Sequence, residues 1–151
     1  MRTPGESRVR WTETSLRVRY AETDQMGVAY YANYLTWFEI GRTEWIRAVV
    51  PYREIEARGL LLPVLEARCR YLAPARYDDE LIVRTALTRW GPVRLTFVYE
   101  IRHADHPQPI AEGETVHAWV DRAFRPVNLK KHSPDLYRLL SAAVSDGPES
   151  A

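Results

Sequence analysis

The stretch YAETDQMGVAYYANYLTWFEIGR, residues Tyr20 to Arg42, decides how the rest of the chain is read. An acid, Asp24, and a glycine, Gly27, share a turn, and an aromatic-rich segment of helical period follows at once. Gly27 can take the positive φ that such a turn asks for. The helix is expected from about Tyr31 to Val49, with Tyr31, Leu35, Phe38, Trp45, Ile46 and Val49 on one stripe and Glu39, Arg42 and Arg47 among the polar residues around it. Pro51 ends it. This order sets a carboxylate beside the free N–H groups of a helix start, where an anion binder would have no use for it. Asp24 therefore reads as a base or nucleophile, aimed at a carbonyl whose oxygen the amides polarise.

Ahead of the turn, Leu16, Val18 and Tyr20 alternate with Arg17 and Arg19, which predicts a strand over Leu16–Glu22. Beyond the helix, Tyr52–Arg58 reads as a short second helix closed by Gly59. The period then changes to two. Leu65, Ala67, Cys69 and Tyr71 share one face of Pro63–Tyr71, with Glu66, Arg68 and Arg70 on the other. Leu81–Trp90, Val93–His103 and Ile110–Val120 read as three further strands joined by Pro-, Gly- and Asp-bearing turns. Ser133-Pro134 reads as the cap and first position of a closing helix through Ala143. Consecutive strands with tight turns pair antiparallel, and one helix against such a sheet is an α+β arrangement. One helix cannot cover both faces, so the outer side or an edge is expected to pair with another copy.

The chain has 151 residues, enough for one domain with a real core, expected over 14–143 with flexible termini at 1–13 and 144–151. Lys and Arg number 21 against 20 Asp and Glu, a formal charge of +1, so no global field favours nucleic acid or an anionic membrane. The single cysteine, Cys69, excludes an intramolecular disulfide and fits a reducing compartment. The polar N-terminus has no apolar signal core and no segment is long and apolar enough to span a bilayer, so a cytoplasmic location is expected. His103, His106, His117 and His132 are scattered without metal-ligand spacing, and no metal is called for. Neither a phosphate-binding loop nor a dinucleotide fingerprint is present. Ser133 lacks a nucleophile-elbow setting, and Cys69 reads as a small core residue.

The run D-x-x-G-x-x-Y-x-x-N-Y-x-x-W-F-E-x-x-R, formed by Asp24, Gly27, Tyr30, Asn33, Tyr34, Trp37, Phe38, Glu39 and Arg42, resembles the hotdog-fold acyl-CoA thioesterases. Within them it is similar to the 4-hydroxybenzoyl-CoA thioesterase, YbgC and FadM-like branch. The turn Pro74–Asp79, the strands after it and the strand end Val120-Asp121 sit where that family has them, so the likeness spans roughly Leu16 to Pro134. The resemblance implies a long central helix wrapped by an antiparallel sheet, two subunits sharing a continuous sheet, sites at the dimer interface, and dimers that often pair into tetramers. It also implies that Asp24 is the catalytic carboxylate and that the backbone N–H of Tyr31 polarises a thioester carbonyl. No cofactor is implied, since CoA is part of the substrate.

That chemistry makes sense from the residues. A thioester oxygen gains charge on attack, helix-start amides are aimed at such charge, and a carboxylate is ionised at neutral pH. Thiolate leaves readily, so no paired histidine is needed. Whether Asp24 is nucleophile or general base stays open. An isolated D-x-x-G would be explained as a turn; the full motif reverses that reading. Glu39 is either a substrate contact or half of a surface pair with Arg42 or Thr43. Asn33 is expected to brace the first helical turn. CoA carries phosphates, so Arg94, Arg122, Arg125 and Lys130 are candidates for its grip, against the alternative of ordinary solvated surface. The rivals are an acyl-carrier-protein thioesterase and a non-catalytic acyl-CoA sensor; a hotdog dehydratase would need a histidine-acid arrangement that this motif lacks.

Overall fold

The computed structural model describes residues 10–144. Its strands are β1 (Trp11–Arg17), β2 (Val64–Tyr71), β3 (Glu80–Trp90), β4 (Arg94–His103) and β5 (Pro109–Ala118). The helices are α1 (Asn33–Arg47), α2 (Tyr52–Ala57), α3 (Leu129–His132) and α4 (Pro134–Val144). All pairings are antiparallel and the order across the sheet is β1-β3-β4-β5-β2. The α+β hotdog is what the motif and the strand period predict: α1 lies along one face, and the sheet curls around it.

The sheet face turned to α1 supplies the core: Leu81, Val83 and Leu87 from β3, and Leu95, Phe97, Tyr99 and Ile101 from β4. From α1 come Tyr34, Trp37, Phe38, Trp45 and Ile46. The Phe38 ring stacks on Tyr99 with centroids 4.4 Å apart, and Trp45 meets Phe97 edge-on at 5.5 Å. Gly113 of β5 makes room for this packing. A Cβ there would overlap both the Phe38 ring and the backbone oxygen of Arg68 on β2.

A line of polar groups threads the same core. Arg42 donates to the Tyr99 hydroxyl (3.2 Å), which lies 2.6 Å from Thr115 Oγ1; that oxygen lies 2.7 Å from His117 Nε2, and His117 Nδ1 lies 3.3 Å from the Leu62 carbonyl. Every group is satisfied if each hydroxyl donates onward and the imidazole carries its proton on Nδ1. Burial, and then the Arg42 charge, pull the His117 pKa down to about 4, so the ring is neutral.

Three expectations need correcting. The first strand is Trp11–Arg17, not Leu16–Glu22: Val18 and Arg19 leave the ladder and Tyr20–Glu22 form a 3-10 turn. Trp11 pairs with Ala86 and Glu13 with Arg84, so residues 11–13 belong to the sheet and not to a loose lead-in. Tyr31 and Leu35, expected on the buried stripe of α1, are exposed; the stripe is rotated to Tyr34, Trp37, Phe38, Gly41 and Trp45. The other strands fall within a residue or two of expectation. Of the expected tails 1–13 and 144–151, Val144 instead ends α4, and residues 1–9 and 145–151 lie outside the described residues.

Candidate active site

The turn after the 3-10 segment is built on Asp24. Its backbone N–H donates to the Val28 carbonyl (2.9 Å), its carbonyl accepts from Gly27 N–H (3.0 Å), and its Oδ1 accepts from Met26 N–H (2.9 Å). Gly27 has φ +80°, the left-handed conformation in which a side chain is costly. The Met26 bond fixes the carboxylate through one oxygen, and Oδ2 has no partner among the described residues.

Glu22 ties this turn to α1. Its backbone carbonyl accepts from both Tyr30 N–H and the Asn33 side-chain amide, each at 2.8 Å. Its carboxylate is buried and accepts from Arg19 N–H (2.7 Å) and the Trp37 indole (3.2 Å), with the Arg19 guanidinium at 3.4 Å. Burial alone would raise its pKa, but these donors outweigh it and hold the carboxyl below its ordinary value. Asn33 thus braces the helix start as expected. The anchoring role of Glu22 is not legible in the sequence, where period-two alternation runs on through a segment that folds as a 3-10 turn.

Asp24, Met26, Val28, Ala29, Tyr31, Tyr34 and Tyr71 line a cleft of about 350 Å³, closed below by Leu72, Ala73 and Pro74. Among the described residues the Tyr31 N–H has no acceptor, and it sits two residues before the first turn of α1. The opposite wall is the end of β2, where the Tyr71 hydroxyl donates to the Tyr31 carbonyl at 2.9 Å. Burial, with the Cys69 thiol beside it, pushes the Tyr71 phenol well up, which keeps it a donor. Asp24, Gly27 and the Tyr31 peptide are therefore brought together.

The other candidates are not in this cleft. Glu39 is exposed in the middle of α1, and Arg42, its expected partner, turns inward to Tyr99. Arg94, Arg122, Arg125 and Lys130 are exposed at the opposite end of the sheet. There Leu61 bridges Val120, and Leu129 N–H holds the Pro92 carbonyl, whereas the cleft lies where Leu72 N–H meets the Ile110 carbonyl. At about 3.3 Å per residue, the length of β2 separates these basic residues from Asp24 by roughly 30 Å. Among the described residues no three His, Cys, Asp or Glu side chains gather as a metal site, and no helix is long and apolar enough to cross a membrane.

Comparison with known proteins identifies the family and the fold. Residues 18–140 match the thioesterase-like superfamily. The chain is 34% identical over 126 residues to the "Putative acyl-CoA thioesterase YneP" of Bacillus subtilis, covering 82% of this chain and 91% of that one. It is 33% identical over 107 residues to the acyl-CoA thioester hydrolase YbgC of Escherichia coli, covering 70% and 79%. The solved DHNA-CoA thioesterase of Staphylococcus aureus superposes with a TM-score of 0.82 at 30% identity, over 87% of this chain and 89% of that one. The matches and the sheet order agree: the chain belongs to the thioesterase-like superfamily and is a hotdog-fold thioester hydrolase.

Proposed function

We propose that the protein hydrolyses acyl-CoA to a carboxylic acid and free CoA, with Asp24 as the catalytic carboxylate and the Tyr31 N–H as the donor to the thioester oxygen. One observation carries the reading: Asp24 and the unpaired Tyr31 amide line the same cleft at the start of α1. The thioester carbon is attacked either by Asp24 itself, giving an acyl anhydride that water then opens, or by a water that Asp24 deprotonates. In both routes charge grows on the carbonyl oxygen, where one fixed donor stabilises the transition state by roughly 3–4 kcal/mol. The CoA thiolate departs as the anhydride forms in the first route, and from the water adduct in the second.

The active unit in this reading is a homodimer. The outer edge of β2 is unpaired in the protomer, and its helix-side neighbours Leu35, Leu65, Tyr71 and Leu72 are exposed apolar residues. Antiparallel pairing of β2 with a second copy covers them. It also brings the far-end basic residues of that copy, Arg94, Arg122, Arg125 and Lys130, alongside this copy's cleft. CoA then runs from the Asp24 of one subunit to the basic end of the other, in a cytoplasm that keeps Cys69 reduced.

The test is thiol release from acetyl, medium-chain, long-chain and aromatic CoA esters and from acyl-carrier protein, with wild type and Asp24→Asn. The variant is expected to keep its fold and assembly while kcat falls by roughly a thousandfold or more. Turnover near wild type would remove Asp24 from the mechanism, and a monomer by light scattering would remove the shared site.

A further inference from the structure

The chain leaves β5 through a tight loop, Asp121 to Arg125, that presents a phenylalanine where the backbone is least hospitable to one. Phe124 has φ +61°, and 64% of its surface is exposed. The loop is fully tied. Asp121 N–H donates to the Arg125 carbonyl (2.9 Å), Phe124 N–H to the Asp121 carbonyl (2.9 Å), and Asp121 Oδ1 accepts from the amides of Ala123 (2.8 Å) and Arg125 (3.0 Å). Val120 and Pro126 bridge at its base. A turn of this kind closes most easily with glycine at the left-handed position, and a bulky aromatic there is an outlier. The Phe124 ring packs on no other aromatic among the described residues, so core packing does not account for it.

Its surroundings are cationic. Arg122 and Arg125 flank the ring in sequence, and Lys130 and Lys131 follow on α3, all exposed. The Arg122 guanidinium is steadied by the Glu56 carbonyl at 3.1 Å. Of the acids at this end, Asp121 caps the loop and Asp135 pairs with Arg58 at 2.8 Å, while Glu54 and Glu56 are exposed on α2. A flat apolar ring held rigidly between two exposed arginines suits a ligand with a flat base and phosphates.

We infer that Phe124 is the stacking platform for the adenine of the acyl-CoA, with Arg122 and Arg125 beside it for the phosphates. This rests on the acyl-CoA reading above. Because the loop lies at the far end of the sheet from its own Asp24, it serves the cleft of the second copy in the β2-paired dimer.

Phe124→Gly separates this from a structural role, because glycine suits the left-handed backbone and removes only the ring. Two readouts decide it: KM for an acyl-CoA relative to KM for the same acyl group on N-acetylcysteamine, which lacks the nucleotide, and the Kd of adenosine 3′,5′-bisphosphate by calorimetry. The KM ratio and the Kd should each rise roughly fivefold or more, the melting temperature should hold or climb, and Phe124→Trp should keep wild-type values. An unchanged KM ratio and Kd overturns the inference, as does an equal loss on both thioesters with a lowered melting temperature. If wild type cleaves neither thioester, the acyl-CoA reading falls, and the bisphosphate titration still decides for or against Phe124.

Discussion

Replacing Glu22 by glutamine tests how the Asp24 turn is held. The carboxylate offers one oxygen to Arg19 N–H at 2.7 Å and the other to the Trp37 indole at 3.2 Å. Glutamine keeps a single acceptor oxygen, so whichever way its amide is turned, an N–H faces either the Arg19 amide or the buried indole. One charge-assisted bond is lost and one donor is stranded, a combined cost of roughly 2–4 kcal/mol at pH 7. The Arg19 guanidinium is mostly exposed and adds little. Because the folded pKa lies below the ordinary value of 4.5, the stabilisation is complete above that value and is lost as pH falls through the folded pKa. Urea unfolding of both proteins from pH 7 to pH 3 should therefore show a gap that narrows toward acid. Since the Glu22 carbonyl holds Tyr30 and Asn33, kcat should also fall by about tenfold or more as Asp24 loses its setting. A gap below about 0.5 kcal/mol, or one of constant size across this range, would refute the assignment of Glu22 as an ionised anchor.

Two further outcomes follow from the core. With its pKa moved from 6.5 to about 4, His117 stays neutral in the fold while the unfolded chain takes up the proton first. Stability should therefore drop by about 3 kcal/mol as pH falls through that window. An NMR titration of the imidazole with a midpoint near 6.5 would contradict the burial. Gly113→Ala forces a methyl group against the β2 backbone and the Phe38 ring, and should cost roughly 1–3 kcal/mol in chemical denaturation. A variant as stable as wild type would mean that β2 yields more freely than its packing suggests.

The residues from Asp24 to Arg42 carried most of the information, because turn, glycine and helix start are local events that side-chain type controls directly. The four later strands were legible for the same reason, since period-two alternation survives without knowledge of partners. Two kinds of feature were not. The alternation of Leu16, Val18 and Tyr20 runs on past the point where the ladder stops at Arg17, and nothing local says that the Trp37 indole waits to draw Glu22 inward. Tyr31 and Leu35 have helical spacing but point out of the protomer, and hydrophobic period cannot tell an interior from a surface awaiting a partner. Arg94 and Arg122 were candidates on chemistry alone; that they share one end of the sheet, remote from Asp24, follows only from strand order.

That strand order also governs when the cleft comes into being. β2 carries Tyr71, yet its neighbour in the sheet is β5, which starts roughly 40 residues later, so joining them closes a long loop after β3 and β4 are in place. On the ribosome β2 emerges early, and its hydrogen-bonding edge must wait until nearly the whole domain has been synthesised. The strand that walls the Asp24 cleft is thus secured only by a late-made neighbour, and truncated chains ending before β5 leave β2 without its partner in the sheet.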